Sequence, residues 1–146
     1  MEYVIFKLMQ ENFAIRLEQI KEILVYSQIL VTPLFSEQPW VKGVVNLRGE
    51  VIPIIDLRLR FGQENPTYDD DTVAIVIKTE EEKLIGMVVD KIDKIMPIES
   101  SQISKDSELQ IGIDAKYVNG LVKINQTQMA VLLNIDTVLK IEELVN

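Results

Sequence analysis

Apolar and polar residues alternate along most of the chain, which is the pattern of β-strands with one buried face. Near the N-terminus, one face of a predicted strand carries Val4, Phe6 and Leu8, and the opposite face carries the residues between them. Apolar residues at helical spacing are rare by comparison. We therefore predict ten short strands, over residues 3–8, 13–17, 23–31, 43–47, 50–55, 72–78, 83–89, 91–98, 117–124 and 128–133.

Glycine, proline and polar pairs indicate where these strands turn or stop. The pair Glu11-Asn12 is predicted to turn the first hairpin. Arg48-Gly49 is predicted to form a tight turn, because glycine readily adopts a positive φ. Pro53 lies inside the strand that follows and predicts an edge position or a bulge, since proline has no N–H to donate.

Three stretches have helical character. Residues 17–23 predict a helical turn that leads into the third strand. Asp56 is a predicted N-cap for one short turn, because its carboxylate can accept a backbone N–H. Residues 135–145 predict an amphipathic helix that Asn134 or Asp136 caps.

The strand content predicts an all-β fold. Ten strands in 146 residues would curl or split as a single sheet, so two small five-stranded barrels or a sandwich are the natural arrangements. The polar stretch 63–71 includes three consecutive aspartates and is the clearest boundary. We expect one domain, 1–146, made of subdomains 12–66 and 67–146, with the N-terminal strand available to both.

The composition removes many kinds of catalytic site. The chain has no histidine and no cysteine. This excludes imidazole bases, thiol nucleophiles, the Ser-His-Asp triad, thiolate or imidazole zinc sites and disulfides. An enzyme of this composition would depend on carboxylates, lysine, tyrosine or serine.

The net charge of −8 at pH 7 disfavours polyanionic partners, because a negative surface repels nucleic-acid phosphates and anionic lipids. An aromatic content of 6% also argues against the stacking surface of an oligonucleotide-binding barrel. No apolar run approaches the roughly 20 residues of a membrane span, and the N-terminus lacks signal-peptide features. We expect a cytoplasmic protein without nucleic-acid binding or direct membrane insertion.

Five sequence blocks stand out along the chain. The longest is GVVNLRGEVIPIIDLRLR, at Gly43–Arg60. The other blocks are TVAIV from Thr72, GMVVD from Gly86, YVNGL from Tyr117 and LLNID from Leu132. These blocks resemble the CheW-like coupling proteins of bacterial chemotaxis, and the first block is the most specific of them. Together they follow the family's order and spacing over nearly the whole chain, although the stretch 31–40 carries a couple of additional residues.

The resemblance implies two intertwined SH3-like five-stranded barrels with a short C-terminal helix. It also implies a non-catalytic adaptor between the cytoplasmic tips of methyl-accepting chemoreceptors and the regulatory domain of the histidine kinase CheA, located at membrane-associated receptor arrays. This role needs no cofactor, no metal and no small-molecule substrate. An adaptor of a related CheA-like pathway, such as surface motility, would share the motifs, so the sequence leaves both pathways open.

The resemblance further implies which residues bind each partner. The receptor-binding candidates are Arg48, Glu22, Ile20 and Val73. The kinase-binding candidates are Lys42, Gly43, Val44 and Val45. Arginine suits the receptor role, because its planar guanidinium has five donors for carbonyl or carboxylate groups on a helical tip.

Residue type alone offers a simpler structural interpretation for each candidate. Arg48 and Glu22 also fit solvated surface charges, which are common on turns and exposed strands. Ile20 and Val73 fit buried core positions, since aliphatic residues are usually inside. Lys42-Gly43 fits a plain turn into the following strand.

Two chemical alternatives follow from the acidic residues. A small carboxylate-dependent hydrolase would need two acids flanking a cleft, one with a raised pKa. Glu50 and Asp90 are candidates, although their spacing does not single them out. The acidic runs 69–71 and 80–82 lack the spaced ligands, central glycine and terminal glutamate of a calcium loop, so we expect no metal site there.

Overall fold

A computed structural model of the chain describes residues 1–105 and 113–139, and within these residues eleven strands form two sheets. The strands are β1 (Glu2–Leu8), β2 (Glu11–Arg16), β3 (Ile20–Val25), β4 (Val41–Leu47), β5 (Glu50–Asp56), β6 (Val73–Lys78), β7 (Leu84–Val89), β8 (Lys91–Pro97), β9 (Ile103–Ser104), β10 (Val118–Lys123) and β11 (Met129–Leu133). The α-helices described are α1 (Leu57–Arg60) and α2 (Ile135–Val138). The predicted all-β fold is confirmed.

One sheet has six strands in the order β8-β1-β2-β11-β10-β9, and the other has five in the order β3-β6-β7-β5-β4. Neighbouring strands are antiparallel except for the parallel pairs β2–β11 and β5–β7. The five-stranded sheet uses the continuous stretch 20–89, whereas the six-stranded sheet combines β1 and β2 with the strands that follow residue 90. The chain thus leaves the first sheet, builds the second and returns, and this path intertwines them.

The boundary expected at residue 66 does not coincide with this division. The acidic stretch lies in the connection between β5 and β6, and both of these strands belong to the five-stranded sheet. β6 pairs with β3 through contacts such as Ile23 with Ile75, and β7 pairs with β5. Polar residues here mark a surface connection, whereas the choice of sheet depends on pairing between residues distant in sequence.

The main hydrophobic core lies between the two sheets. Phe6 of the six-stranded sheet and Ile75 and Met87 of the five-stranded sheet are fully buried in it. Smaller clusters on the opposite sheet faces include Ile5 and Val88. Strands such as β6 therefore bury both faces, which explains their continuous apolar sequence.

Several local predictions are confirmed because a glycine or a capping side chain determines the backbone. Arg48 and Gly49 have φ values of 51° and 90° in the turn between β4 and β5. Asp56 caps α1 by accepting the Arg58 backbone N–H at 2.9 Å, and Asn134 caps α2 in the same way.

Other local predictions are wrong. The first hairpin turns at Met9-Gln10, with φ values of 54° and 68°, and not at Glu11-Asn12. The pairing of Leu8 with Glu11 places the turn there and keeps the β2 apolar side chains on the core face. Residues 17–23 form only a 3₁₀ turn over Leu17–Gln19 before β3 begins.

Pro53 lies in a central strand and not at an edge, since β5 has β4 on one side and β7 on the other. Pairing between β5 and β7 is described from Ile54 to Asp56 and so begins directly after the proline. The missing N–H of Pro53 therefore removes no hydrogen bond from that ladder. The bulge lies in the partner strand, where β4 shifts register between Val41 and Gly43.

Helix α2 begins at Ile135 as predicted. Residues 140–145 of the expected helix lie outside the described residues. Over the ranges 1–105 and 113–139, no helix is long and apolar enough to cross a membrane.

Candidate partner-binding surface

The turn between β4 and β5 places Arg48 against Glu22 of β3. The Arg48 Nη2 donates to Glu22 Oε1, and Nη1 donates to Oε2 at 3.4 Å. The Arg48 side chain is 71% exposed and the Glu22 side chain 31% exposed. Two receptor-binding candidates that are 26 positions apart in sequence are therefore neighbours on one surface.

This ion pair shifts the pKa of both groups. The hydrogen bond from Arg48 lowers the pKa of Glu22, and the hydrogen bond to Glu22 raises the pKa of Arg48. Both side chains are consequently charged at neutral pH. Because water competes with exposed ion pairs, a carboxylate or carbonyl of a partner can replace Glu22 at the guanidinium.

The backbone around Arg48 is held in a defined turn. The Asn46 side chain accepts the Gly49 backbone N–H at 3.0 Å, as expected for an asparagine that satisfies a local backbone group. Arg48 itself has a left-handed backbone conformation. The turn thus projects the guanidinium from a fixed base.

The other two receptor-binding candidates lie mainly in the core. Val73 is 9% exposed and belongs to the main core, and the half-buried Ile20 packs against it. Between Ile20 and Glu22 the register of β3 shifts, and Leu24 packs against the smaller cluster on the opposite face. The shift interrupts the regular strand alternation between Ile20 and Glu22, so their spacing of two residues does not by itself place them on one face of β3.

The four kinase-binding candidates of β4 differ in exposure. Gly43 and Val45 are buried, whereas Lys42 and Val44 are half-buried. The Val44 backbone exchanges two hydrogen bonds with Thr32, at 2.8 and 2.9 Å. Lys42 and Val44 are therefore the members of this group whose side chains reach the surface.

A buried charged network next to Lys42 was not predicted from the sequence. The Arg58 side chain, 1% exposed, donates to Asp56 through Nε at 3.0 Å and Nη2 at 2.9 Å. Its Nη1 donates to Asp90 at 2.8 Å. The Tyr68 hydroxyl donates to Asp56 at 2.6 Å, and the Lys42 ammonium lies 5.1 Å from the Tyr68 ring centroid.

The network joins the two sheets electrostatically. Burial opposes the charge of Arg58, but the hydrogen bonds with Asp56 and Asp90 outweigh it and raise the pKa of the guanidinium. Burial and the bond to Asp56 raise the pKa of Tyr68. Asp90 also accepts the Met9 backbone N–H at 2.8 Å, so it ties Arg58 to the β1–β2 turn of the other sheet.

The acidic residues considered for catalysis or metal binding have other roles. Asp90 is occupied by Arg58 and Met9, and Glu50 is exposed at the start of β5. Asp69 accepts backbone N–H groups of the turn that precedes β6. In the described part of the chain, no group of three or more His, Cys, Asp or Glu residues is placed to hold a metal ion.

Comparison with known proteins identifies the fold and the family. The sequence model of the CheW-like domain matches residues 2–143. The chemotaxis protein CheW of Klebsiella aerogenes is 34% identical over 143 residues, which cover 98% of this chain and 84% of the relative. The chemotaxis protein CheW of Treponema pallidum is 29% identical over 134 residues, which cover 90% of this chain and 78% of the relative.

A solved structure has the same architecture. The scaffolding protein TtCheW from Thermoanaerobacter tengcongensis superimposes with a TM-score of 0.83 at 24% identity, covering 94% of this chain and 86% of that one. The expected pair of SH3-like subdomains is confirmed, with β9 as a short additional strand in the six-stranded sheet. The chain therefore belongs to the CheW-like domain family and is a chemotaxis coupling adaptor, not an enzyme.

Proposed function

We propose that this chain joins the cytoplasmic tips of chemoreceptors to the regulatory domain of a CheA-type histidine kinase. It would act in the cytoplasm, at receptor arrays that its partners hold at the membrane. Such an adaptor would hold its two partners in one arrangement. Coupling then means that binding of one partner changes the affinity for the other.

The observation that carries this proposal is the exposed pair formed by Arg48 and Glu22. The guanidinium projects from the β4–β5 turn, and among the described residues its hydrogen-bond partner is the partly exposed carboxylate of Glu22. Charged groups at the rim of an interface mainly determine which partner binds and in which orientation. An arginine held in this way can exchange one carboxylate for another without unfolding the turn.

The remaining candidates have different parts in the proposal. Ile20 and Val73 support the receptor-facing surface from the core side, since their side chains pack behind β3 and β6. Lys42 and Val44 are the kinase-facing candidates, because their side chains are partly accessible. Gly43 and Val45 would act by holding β4 in place.

The test is a titration of the chain with the isolated regulatory domain of the kinase from the same organism, with and without a soluble receptor-tip fragment. We expect saturable one-to-one binding to the kinase domain that the tip fragment alters. Arg48→Glu should weaken binding to the tip by about tenfold or more, because it places a second negative charge next to Glu22. Its folded structure should persist, since the side chain is exposed.

A matched control is Arg16→Glu, because Arg16 also forms an exposed ion pair, with Glu18 at 3.1 Å, but on the six-stranded sheet. Arg16→Glu should leave both binding constants unchanged. Normal tip binding by Arg48→Glu would remove the assigned role of this turn. Absence of binding to both partners by the unmodified chain would overturn the proposed coupling to this kinase.

A further inference from the structure

The pair Asn119-Gly120 in β10 lies outside the candidate partner-binding residues and has an unusual chemical character. It is the only place in the chain where glycine follows asparagine. Asparagine is among the chemically labile residues of proteins, and glycine has no Cβ to shield its backbone nitrogen. An asparagine side chain is therefore most open to attack by the following backbone nitrogen when the next residue is glycine.

The strand is irregular at this pair. β10 pairs Val118 with Leu133 and Gly120 with Leu132 of β11, so Asn119 is an additional residue between two successive pairs. Such a bulge leaves the extra residue outside the ladder and bends the local backbone. The Asn119 side chain is exposed. The bulge thus releases Asn119 from the regular extended geometry that separates a strand side chain from the next backbone nitrogen.

The packing of β9 requires glycine at position 120. A Cβ on Gly120 would lie 2.6 Å from the Ile103 Cγ2 and 2.9 Å from the Ser104 carbonyl oxygen. The ladder between β9 and β10 begins directly after this residue, with Leu121 opposite Ser104. The contacts that form this sheet edge therefore place an unhindered glycine nitrogen next to Asn119.

Asn119 also lacks the side-chain contacts that hold other asparagines in place. Asn46, Asn125 and Asn134 each accept a backbone N–H of their own turn or helix start. Over residues 1–105 and 113–139, the Asn119 side chain has no hydrogen-bond partner. Asn65 precedes a proline, whose nitrogen carries no hydrogen. Asn119 therefore combines a free side chain with a reactive neighbour.

We propose that Asn119 is a site of spontaneous deamidation, which proceeds through a succinimide ring formed with Gly120. The Gly120 nitrogen bonds to the Asn119 Cγ, the Cγ–Nδ2 bond breaks, and the Gly120 amide hydrogen leaves with Nδ2 as ammonia. One water molecule then opens the ring. Attack at Cγ gives aspartate, and attack at the backbone carbonyl gives isoaspartate, in which the main chain runs through Cγ.

The modification changes both the charge and the backbone of this sheet edge. Either product adds one carboxylate to a chain of net charge −8. Asn119 lines a cleft of about 420 Å³ with basic and acidic residues, among them Arg16 and Asp136, so the new charge lies in this cleft. Isoaspartate also lengthens the main chain by one atom, directly before the close contact of Gly120 with β9. Modified chains should therefore have a weakened β9–β10 edge, which marks them by age.

The test incubates the full folded chain in mildly alkaline buffer, because the attacking nitrogen has to lose its proton. Peptide mapping by mass spectrometry measures the replacement of NH₂ by OH at each asparagine. A protein isoaspartate methyltransferase with labelled S-adenosylmethionine measures the isoaspartate formed. We expect Asn119 to react at least about tenfold faster than Asn125, which is also exposed but precedes glutamine. The rate should rise with pH, and ammonia should be released in equal amount.

Two matched variants test the assignment. Asn119→Gln should keep the fold, because the side chain is exposed, and should remove the fast methyl labelling, because glutamine would have to form a larger ring. Asn125→Gln should leave the labelling unchanged. In the isoaspartate form, separated by anion exchange, amide hydrogen exchange should be about tenfold faster in β9 and β10 than in fresh chain.

Comparison with the chain unfolded in urea tests the role of the bulge and needs no variant. We expect the rate at Asn119 in the folded chain to be within about tenfold of the rate in the unfolded chain. A folded rate lower by about a hundredfold or more would show that the strand protects Asn119 and would overturn the proposal. Equal rates at Asn119 and Asn125, or undiminished labelling of Asn119→Gln, would also overturn it.

Discussion

At the scale of single residues, the backbone conformation of the β4–β5 turn determines where the Arg48 side chain lies. Arg48 projects from a turn in which both central residues have positive φ, and an asparagine side chain closes that turn. The guanidinium is therefore positioned before any partner arrives, which reduces the entropy lost on binding. Glu22, its neighbour on β3, can report whether this ion pair forms, because the hydrogen bond from Arg48 changes the pKa of its carboxyl group.

The protonation of Glu22 should depend on Arg48. In the folded chain the hydrogen bond from Arg48 lowers the pKa of Glu22 below its ordinary value of 4.5. The contribution of the pair to folding is thus present above pH 4.5 and is lost as the pH falls through the lowered pKa. A ¹³C titration of the side-chain carboxylates should show Glu22 titrating at a higher pH in Arg48→Ala than in the unmodified chain. Identical titration curves would mean that the pair does not persist in solution.

Gly43 illustrates a residue whose role is steric. It has a φ of 145°, and a Cβ there would lie 2.0 Å from the Thr32 carbonyl oxygen. Gly43→Ala should therefore lower the free energy of unfolding by about 2 kcal/mol or more, because backbone would have to move. Urea denaturation measures this change.

The control for that substitution is Gly49→Ala. Gly49 has a φ of 90° but no heavy atom within 4 Å of the added Cβ, so only backbone strain of about 1 kcal/mol is expected. Equal destabilisation by the two alanines would contradict the close approach of Thr32. A loss of kinase binding by Gly43→Ala at full stability would instead indicate a direct contact.

At the scale of elements, one cluster of charges connects the two sheets. Arg58, at the start of α1, bonds to Asp56 at the end of β5 and to Asp90 after β7. Asp90 in turn accepts the Met9 N–H in the β1–β2 turn. A buried arginine is stable only where such partners replace its water. The cluster therefore holds the sheets in a defined relation.

Removal of the Arg58 guanidinium should lower the free energy of unfolding far more than removal of the Asp90 charge. Arg58→Met leaves Asp56 buried without its cation and should lower the free energy of unfolding by about 3–5 kcal/mol. Asp90→Asn should cost less, about 1–2 kcal/mol, because Asp90 is partly exposed and its amide oxygen can still accept a hydrogen bond. Urea denaturation of both variants checks the order.

The double variant Arg58→Met with Asp90→Asn provides the internal control. Because the two residues contact each other, their effects should not add. A loss of less than about 1 kcal/mol for Arg58→Met would show that the cluster has little influence on folding. Additive losses would place the two residues in separate interactions.

At the scale of the whole molecule, the proposed role requires the chain to bind two partners and to transmit a change from one to the other. The five-stranded sheet carries Arg48, Glu22, Lys42 and Val44, so the candidate contacts for both partners lie on one rigid unit. A change of packing at one partner can therefore reach the other through a few strands. Such a link is an energetic coupling between the two binding events.

Coupling of this kind has to be reciprocal. If the receptor tip changes the affinity for the kinase domain by a given factor, the kinase domain must change the affinity for the tip by the same factor. Calorimetric titrations in both orders should give equal factors, of about fivefold or more. Unequal factors would reveal an additional species, and a factor of one would mean that the chain tethers its partners without transmitting a signal.

The features that the sequence predicted are those that depend on neighbouring residues. The alternation of apolar residues located most strands, glycine located the turn at Arg48-Gly49, and Asp56 was found as a cap. The first hairpin turn was misplaced because its residues, Met9 and Gln10, carry no glycine signal. The family motif then identified the adaptor fold and function.

Contacts between distant residues could be decided only by the tertiary structure. No local pattern shows that β6 returns to β3 across the acidic linker or that Arg58 is buried against Asp90. The meeting of Arg48 with Glu22 likewise depends on the closure of the five-stranded sheet. The sequence by itself determined the kinds of elements and the family, because backbone preference and burial pattern are local. The tertiary structure decided which strands pair and which charges meet, because these are set by packing across the whole chain.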